Sequence, residues 1–302
     1  MKRDTDCLTA ENKPGLPGDK ISGKSRNLWY NSVIMHGFLI LMAVIFLIPF
    51  YIAIVNAFKP GNEIMLSPLS LPLKHFTLEN LIRNIQSQDF SLLIAYSTSA
   101  TLAFLTDVFV VLVAAMMSYI ICRKNNRFYK ITYLLLLAGL MIPAQVILLP
   151  NIMILRTLGL MFTIPGLILM YIGWNLPFAV FTLTGYIGTI SCEIDESARI
   201  DGADDLVIFF KMIFPLIKPA VASVVIFITL WTWNDFVNPL IILSSSRFYP
   251  VTLGVYRAIG QYTQKWDDVF AIVFLAIFPV IVFYLLMQKS FVSGLTTGAL
   301  KG

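Results

Sequence analysis

The stretch "DESARIDGADDLVIFFKMIFPLIKPA" (residues 195–220) places charged side chains between two long apolar runs. Residues 157–192 before it hold no Lys, Arg, Asp or Glu, and residues 219–246 after it hold only Asp235. The whole chain is 58% hydrophobic and 13% charged, whereas a soluble domain is roughly 25% charged. The charged stretch is therefore expected to belong to a loop that connects two membrane-spanning segments.

Outward from this loop, further apolar runs are long enough to cross a hydrocarbon core about 30 Å thick. Because backbone polar groups in lipid must be satisfied within the segment, each run is expected to be a helix rather than a strand of a β-barrel. Prolines in or beside the runs predict kinks or broken helices. The sequence thus predicts an all-α membrane protein with six transmembrane helices within residues 29–302, at about 31–57, 90–121, 131–152, 163–187, 218–241 and 268–288.

The distribution of basic residues predicts the orientation of these spans. With both termini in the cytoplasm, the cytoplasmic segments hold 15 of the 22 Lys and Arg residues, as the positive-inside rule requires. Residues 1–28 are then a flexible cytoplasmic tail, and the loop 188–217 is cytoplasmic. This placement accounts for the net charge of +5, so no nucleic-acid partner is predicted.

The loop 188–217 has the pattern of two short helices rather than of a random connector. Ser191 is placed to cap a helix that begins near Cys192, and the acidic residues that follow suit the positive end of a helix dipole. Gly202 is expected to end or bend this helix. A second helix is expected from about Ala203 to Pro215, with an apolar stripe formed by Leu206, Phe210 and Ile213. Two short helices with a partly apolar surface on the cytoplasmic side indicate docking to a soluble partner protein.

The order Glu196-Ser197-Ala198, Gly202 and Pro215 resembles the EAA signature of permease subunits of bacterial ABC importers. That signature is Glu-Ala-Ala, three residues, Gly, nine residues, then Ile-x-Leu-Pro, and both of its spacings fit. The stretches "WTWNDFVNPL" (231–240) and "FVSGLTTGALKG" (291–302) are similar to the maltose-type carbohydrate importers. The sequence departs from the signature at three positions, which are Ser197 in place of Ala, and Met212 and Phe214 in place of Ile and Leu.

This resemblance implies the type I ABC importer permease fold and a function in the bacterial cytoplasmic (inner) membrane. In that family the EAA loop is a coupling helix in a groove of an ATP-binding subunit, and closure of two such subunits switches the permease between inward-facing and outward-facing states. The implied partners are a second homologous permease subunit, an ATP-binding subunit dimer, an extracytoplasmic sugar-binding protein, membrane lipid and the carbohydrate substrate. The residues carried over for coupling are Glu196, Ser197, Ala198, Asp201, Gly202, Ala203 and Pro215.

The chain itself is expected to be non-catalytic. It has no Gly-x-x-x-x-Gly-Lys-[Ser/Thr] loop to hold the phosphates of a nucleotide. The resemblance therefore assigns ATP and Mg²⁺ to the partner ATPase, and neither a cofactor nor a metal to this chain.

Polar residues inside the spans are the candidates for the substrate pathway, because such groups are costly in lipid. The candidates are Gln145, Asn175, Trp231, Asn234, Asp235 and Asn238, of which the last four are spaced as on one helix. Asn and Gln also bridge helices in membranes, and Trp also anchors span ends, so a structural role stays open for each. Asp107 faces either a neighbouring helix or water.

Other functions are weighed against the importer. A self-contained secondary transporter or channel is the alternative, although inverted repeats and mid-membrane charges are scarce. An intramembrane enzyme is disfavoured because the spans contain no His pair, Ser–Lys pair or His-Glu-x-x-His motif. In the importer, the outer loop 242–267 is expected to face the binding protein, and the terminal "GALKG" (298–302) to reach the ATPase dimer.

Overall fold

The computed structural model describes residues 21–73, 75–86, 91–124, 126–261 and 265–299. Within these residues the regular structure is entirely helical. The chain divides into two units, Met1–Ile52 and Ala53–Gly302. The helices are α1 Ile21–Ala57, α2 Gly61–Leu66, α3 Glu79–Ile85, α4 Leu92–Arg123, α5 Arg127–Leu140, α6 Ala144–Thr157, α7 Ile164–Ile187, α8 Glu193–Ile200, α9 Asp205–Val207, a π-helix Ile208–Ile213, α10 Phe214–Leu216, α11 Lys218–Asn234, α12 Val237–Ile242, α13 Val251–Gln261 and α14 Trp266–Ala299.

Four helices in the described residues are long and apolar enough to cross a membrane, within α1, α4, α7 and α14. Two bent pairs raise the number of candidate spans to as many as six if each pair is one span. Of the first unit, the structure describes α1 from Ile21 to Ile52. This helix begins inside the predicted tail. Residues 1–20 of that tail lie outside the described residues.

The segment predicted as a span at 131–152 is broken, at one of the prolines for which a kink or a break is predicted. Helices α5 and α6 meet at an angle of 109° around Met141–Pro143. Pro143 has an extended ψ of 135° and immediately precedes α6. A proline disfavours helical geometry in the residue before it and cannot donate to the preceding turn, so the helix stops and restarts here.

The span predicted at 218–241 is also broken. Helix α11 ends at Asn234, Asp235 is extended with ψ of 132°, and α12 begins at Val237. Pro239 would clash with the carbonyl of Asp235 in a continuous helix, because the proline ring occupies the space of the fourth preceding carbonyl. That carbonyl instead accepts a 2.6 Å hydrogen bond from the Thr252 hydroxyl.

The core of the second unit lies where α4 packs against α7 and α11. Ala114, Ala115 and Ala179 are fully buried there, and such small side chains allow close approach of helix backbones. Ala198 of α8 and Phe209 of the π-helix belong to the same buried cluster. The loop 188–217 is therefore packed onto the ends of the long helices rather than standing free of them.

Helix α3 is held to the start of α14 by charged groups. The Arg83 guanidinium lies 2.6 Å from Asp268 and 2.8 Å from Asp267, and Asn84 donates to Asp268 over 2.9 Å. Burial opposes the charge of Arg83, but Asp268 and Asp267 outweigh it and raise the pKa of the guanidinium. Both aspartates also lie in the first turn of α14, where the helix dipole favours negative charge.

Candidate functional site

Helix α8 begins almost where the sequence predicts. It starts at Glu193 with Cys192 as its N-cap residue, and the Ser191 hydroxyl accepts from the Glu193 N–H over 3.2 Å. Ser191 thus lies one position earlier than a conventional cap, but it still satisfies a free N–H of the first turn.

Gly202 ends α8 in a left-handed conformation, with φ of +84°. The Ala203 N–H donates to the Ala198 carbonyl and the Gly202 N–H to the Arg199 carbonyl, each over 3.0 Å. These two bonds form a Schellman motif, which favours glycine at the left-handed position. A Cβ atom at Gly202 would meet nothing within 4 Å, so the backbone angle rather than space requires glycine.

The predicted coupling residues divide between an exposed face and the core. Ala198 is buried and Ala203 half-buried, whereas the others on α8 and its cap, Glu196, Ser197, Asp201 and Gly202, are exposed. Ile200 shares the exposed face and is 86% exposed, which the sequence pattern did not single out. A large exposed aliphatic side chain beside acidic groups gives this face an apolar contact point.

Asp195 is the residue of α8 that the sequence interpretation missed. Its side chain is 2% exposed, accepts from the Tyr119 hydroxyl over 2.6 Å, and lies 2.9 Å from the Arg123 guanidinium. Arg123 also donates to the Ile190 carbonyl over 3.1 Å. Because Tyr119 and Arg123 are one turn apart at the end of α4, these contacts fasten α8 to a long helix.

The second half of the loop differs from prediction at its start. Its helix begins at Asp205 rather than Ala203, because the Asp204 side chain caps it by accepting from the Val207 N–H over 2.8 Å. The continuation over Ile208–Ile213 is a π-helix.

The predicted apolar stripe is only partly correct. Ile213 is fully buried, but Leu206 is 58% and Phe210 46% exposed. Ile208, Phe209 and Ile217 are buried in place of Leu206 and Phe210, because the wider π turn shifts which positions face the core. Pro215 does not end the helix either. It lies inside α10, and the 75° bend comes at Ile217, before α11.

A cavity of about 450 Å³ lies among α7, α11 and α12. Five of the six pathway candidates line it, and they come together across the break after Asn234. Gln145 is not among the lining residues and is exposed on α6. The cavity is lined by Tyr171, Trp174, Asn175, Leu230, Trp231, Thr232, Asn234, Asp235 and Asn238.

Asp235 is the centre of the polar network in this cavity. One of its carboxylate oxygens accepts from the Tyr171 hydroxyl and from the Asn238 amide, each over 2.7 Å. The break between α11 and α12 makes these two hydrogen bonds possible. Asp235 lies in the extended segment between the helices, and Asn238 lies in the first turn of α12. Tyr171 was absent from the sequence candidates because its buried position on α7 gives no signal in the pattern.

Aromatic side chains form one wall of the cavity. Trp231 is 47% exposed and packs edge-on against Phe178, with ring centroids 4.8 Å apart. Trp174 is 37% exposed, and on α7 it lies one turn after Tyr171 and directly before Asn175. The two indoles and the amides together provide both stacking surfaces and hydrogen-bonding groups, as a saccharide requires.

A second cavity of about 310 Å³ lies among α4, α11 and α14 and includes Asp107. The Asp107 carboxylate accepts from the Thr229 hydroxyl over 2.5 Å. Asp107 thus contacts a neighbouring helix, which is one of the two placements left open by the sequence, and it also lines this cavity. Among the residues that the structure describes, no group of three or more His, Cys, Asp or Glu side chains has the arrangement of a metal site.

Comparison with known families identifies the chain. Residues 111–293, which contain both α8 and the 450 Å³ cavity, match the model of the binding-protein-dependent transport system inner membrane component. The chain belongs to this family. The family resemblance predicted from the EAA loop is confirmed.

Related permeases match over most of their length. The multiple sugar-binding transport system permease protein MsmG of Streptococcus mutans is 33% identical, over 85% of this chain and 93% of its own. The diacetylchitobiose uptake system permease protein NgcG of Streptomyces coelicolor is 30% identical, over 89% of each chain. The arabinooligosaccharides permease protein AraQ of Bacillus subtilis is 30% identical, over 88% of this permease and 94% of its own length.

The fold is also that of a solved transporter. A chain from the crystal structure of a bacterial ABC transporter for import of the acidic polysaccharide alginate superposes with a TM-score of 0.75. The match covers 91% of this permease and 99% of that chain at 21% identity. The ABC importer fold predicted from the sequence is thereby supported.

Proposed function

We propose that this permease is one half of the transmembrane pathway of an ATP-driven carbohydrate importer in a bacterial inner membrane. Its partners in this proposal are a second homologous permease, a dimer of ATP-binding subunits that hold ATP and Mg²⁺, and an extracytoplasmic sugar-binding protein. The relatives support a di- or oligosaccharide as substrate, since several carry multiple-sugar, diacetylchitobiose or arabinooligosaccharide transport in their names. Both chain termini and the loop 188–217 are then cytoplasmic, and the segment 242–267 with α13 faces the binding protein.

The observation that carries the coupling proposal is the attachment of α8 to α4. The exposed face with Glu196, Ser197 and Ile200 is free to enter a groove on an ATPase, while Asp195 is tied to Tyr119 and Arg123. A movement of α8 driven by closure of the ATPases would therefore be passed to α4 rather than absorbed by a flexible loop. Because α4 packs on α7 and α11, the displacement would reach two of the helices that line the cavity.

The cavity provides a site for the substrate along this route. Trp231 offers a partly exposed indole, and Asn234 is exposed at the end of α11, where the helix breaks. Hydrogen bonding and stacking at a break in a span are features of transporter binding sites, since irregular backbone is tolerated where it lines a cavity.

Purification of the assembled protein from its native membrane tests this proposal. A second permease and an ATPase dimer should accompany the tagged chain, and sugar uptake should require ATP and the binding protein. Uptake by the isolated chain, driven by an ion gradient without ATP, would instead establish a self-contained secondary transporter or channel.

A further inference from the structure

Two of the amides around the 450 Å³ cavity use only part of their hydrogen-bonding capacity within the described residues. Asn175 uses an N–H to donate to the Tyr171 carbonyl over 2.8 Å, and Asn234 donates to the Leu230 carbonyl over 2.9 Å. Asn238 donates to Asp235. In the part of the chain that the structure describes, the Oδ1 oxygens of Asn175 and Asn234 have no hydrogen-bond partner. Each of these two amides therefore keeps an oxygen that can accept from a sugar hydroxyl and a second N–H that can donate to a sugar oxygen, as a hydroxyl-rich ligand requires.

The charge of the cavity also restricts the kind of ligand that it can bind. Asp235 is the single charged residue among those that line it, and its partners Tyr171 and Asn238 are neutral donors. No Lys, Arg or His within the described ranges forms an ion pair with it. A carboxylate beside largely apolar walls, away from a compensating cation, gives the cavity a negative potential.

We propose that this cavity accepts an uncharged, hydroxyl-rich saccharide and repels sugars that carry carboxylates or phosphates. This inference rests on the proposed function and adds the charge class of its substrate. Sugar hydroxyls can donate to the free amide oxygens and accept from the remaining amide N–H groups, whereas a uronate carboxylate meets Asp235 with like charge. Trp174 and Trp231 are positioned to stack on the apolar faces of sugar rings.

Charged thiol reagents measure this potential without knowledge of the sugar. In the assembled complex, Cys7, Cys122 and Cys192 are replaced by Ser and Asn234→Cys is introduced. The rates of reaction with a trimethylammonium and a sulfonate methanethiosulfonate are then compared. The cation-to-anion rate ratio should exceed that of Gln145→Cys, an exposed position outside the cavity, by about tenfold. Adding Asp235→Asn to the Asn234→Cys variant should lower the ratio to that of Gln145→Cys. If Asn234→Cys with Asp235 intact gave a ratio no higher than Gln145→Cys, the proposal would be overturned.

Protection of the same thiol tests the saccharide itself. A neutral methanethiosulfonate is used on the complex without its binding protein, in the presence of maltotriose or trigalacturonate. Maltotriose should slow the reaction and trigalacturonate should not; protection by trigalacturonate to the same extent, or by neither sugar, would contradict the proposal. This proposal and the proposed function can fail separately. If the protection pattern contradicts the charge preference but Trp231→Ala still loses sugar uptake, the cavity remains part of the transport pathway and only the preference for uncharged sugars is wrong.

Discussion

Arg123 at the end of α4 and Asp195 in the first turn of α8 form an ion pair of 2.9 Å, with side chains 9% and 2% exposed. The two residues are far apart in sequence and are joined through tertiary structure alone. Tyr119 completes the arrangement by donating to the same carboxylate. This pair links the helix that carries the family signature to α4, a long helix of the core.

Asp195→Ala should strongly reduce transport, because it leaves the Arg123 guanidinium buried without its partner. Removing one member of a buried pair typically costs about 3–5 kcal/mol. The expected result is lower thermal stability of the complex and ATP hydrolysis no longer stimulated by the loaded binding protein, measured as ATPase rate with and without that protein.

The exposed pair Arg199–Asp205, at 3.0 Å, is the matched control for this change. Arg199→Gln should leave stability and stimulated hydrolysis almost unchanged, because water screens exposed pairs. If Arg199→Gln and Asp195→Ala behaved alike, the buried pair would have no special part in coupling.

Gly202→Ala should weaken the hold of the permease on its ATPase. An L-residue in the left-handed region costs roughly 1–2 kcal/mol, so the end of α8 is expected to rearrange. Gly202→Asn should retain more binding, since Asn adopts this conformation more readily. The amount of ATPase subunit that remains bound during purification measures the effect.

Gly185→Ala in α7 supplies the comparison, because a Cβ there also meets nothing within 4 Å and Gly185 has no positive φ. It should not reduce ATPase retention. Equal retention in Gly202→Ala and wild type would show that the Schellman motif is dispensable for docking.

Ile200→Ser should reduce affinity for the ATPase by tenfold or more without unfolding the permease. Its side chain is 86% exposed in the isolated chain, and burial of an isoleucine at an interface is worth about 1.5–3 kcal/mol. Leu66→Ser changes an equally exposed aliphatic residue on α2 and should not affect binding. Titration of detergent-solubilised permease with ATPase subunit distinguishes the two, and indistinguishable affinities would exclude Ile200 from the interface.

Trp231→Ala and Asn234→Ala should lower sugar uptake while the complex still assembles. Each removes a group that faces the cavity, and neither side chain is buried in the core. Gln145→Ala, on α6 outside the cavity, should transport normally. Initial uptake rates in membrane vesicles provide the measurement, and unchanged uptake in the first two variants would assign these residues a structural role.

Several features of this permease follow from sequence alone, because they depend on local composition and spacing. Apolar runs predicted the long helices α1, α4, α7 and α14, since a stretch of that length satisfies its own backbone in lipid. The interval from Glu196 to Gly202 predicted the family, and Gly202 itself predicted the end of α8. Polar residues within spans predicted five of the residues that line the cavity.

Other features depended on contacts between segments distant in sequence. Asp195 looked like one more acidic residue of a helix start, and only the packing of α8 on α4 revealed its partners Tyr119 and Arg123. The stripe around Leu206 was misassigned because a π-helix changes which side chains face the core, and a 3.6-residue period does not anticipate it. Gln145 and Asn175 were equally good candidates for the substrate pathway in the sequence. Asn175 lines the cavity, whereas the bend before α6 places Gln145 outside it. Local chemistry thus determined the helices and the docking signature, whereas the relative placement of the helices decided which polar groups were brought together.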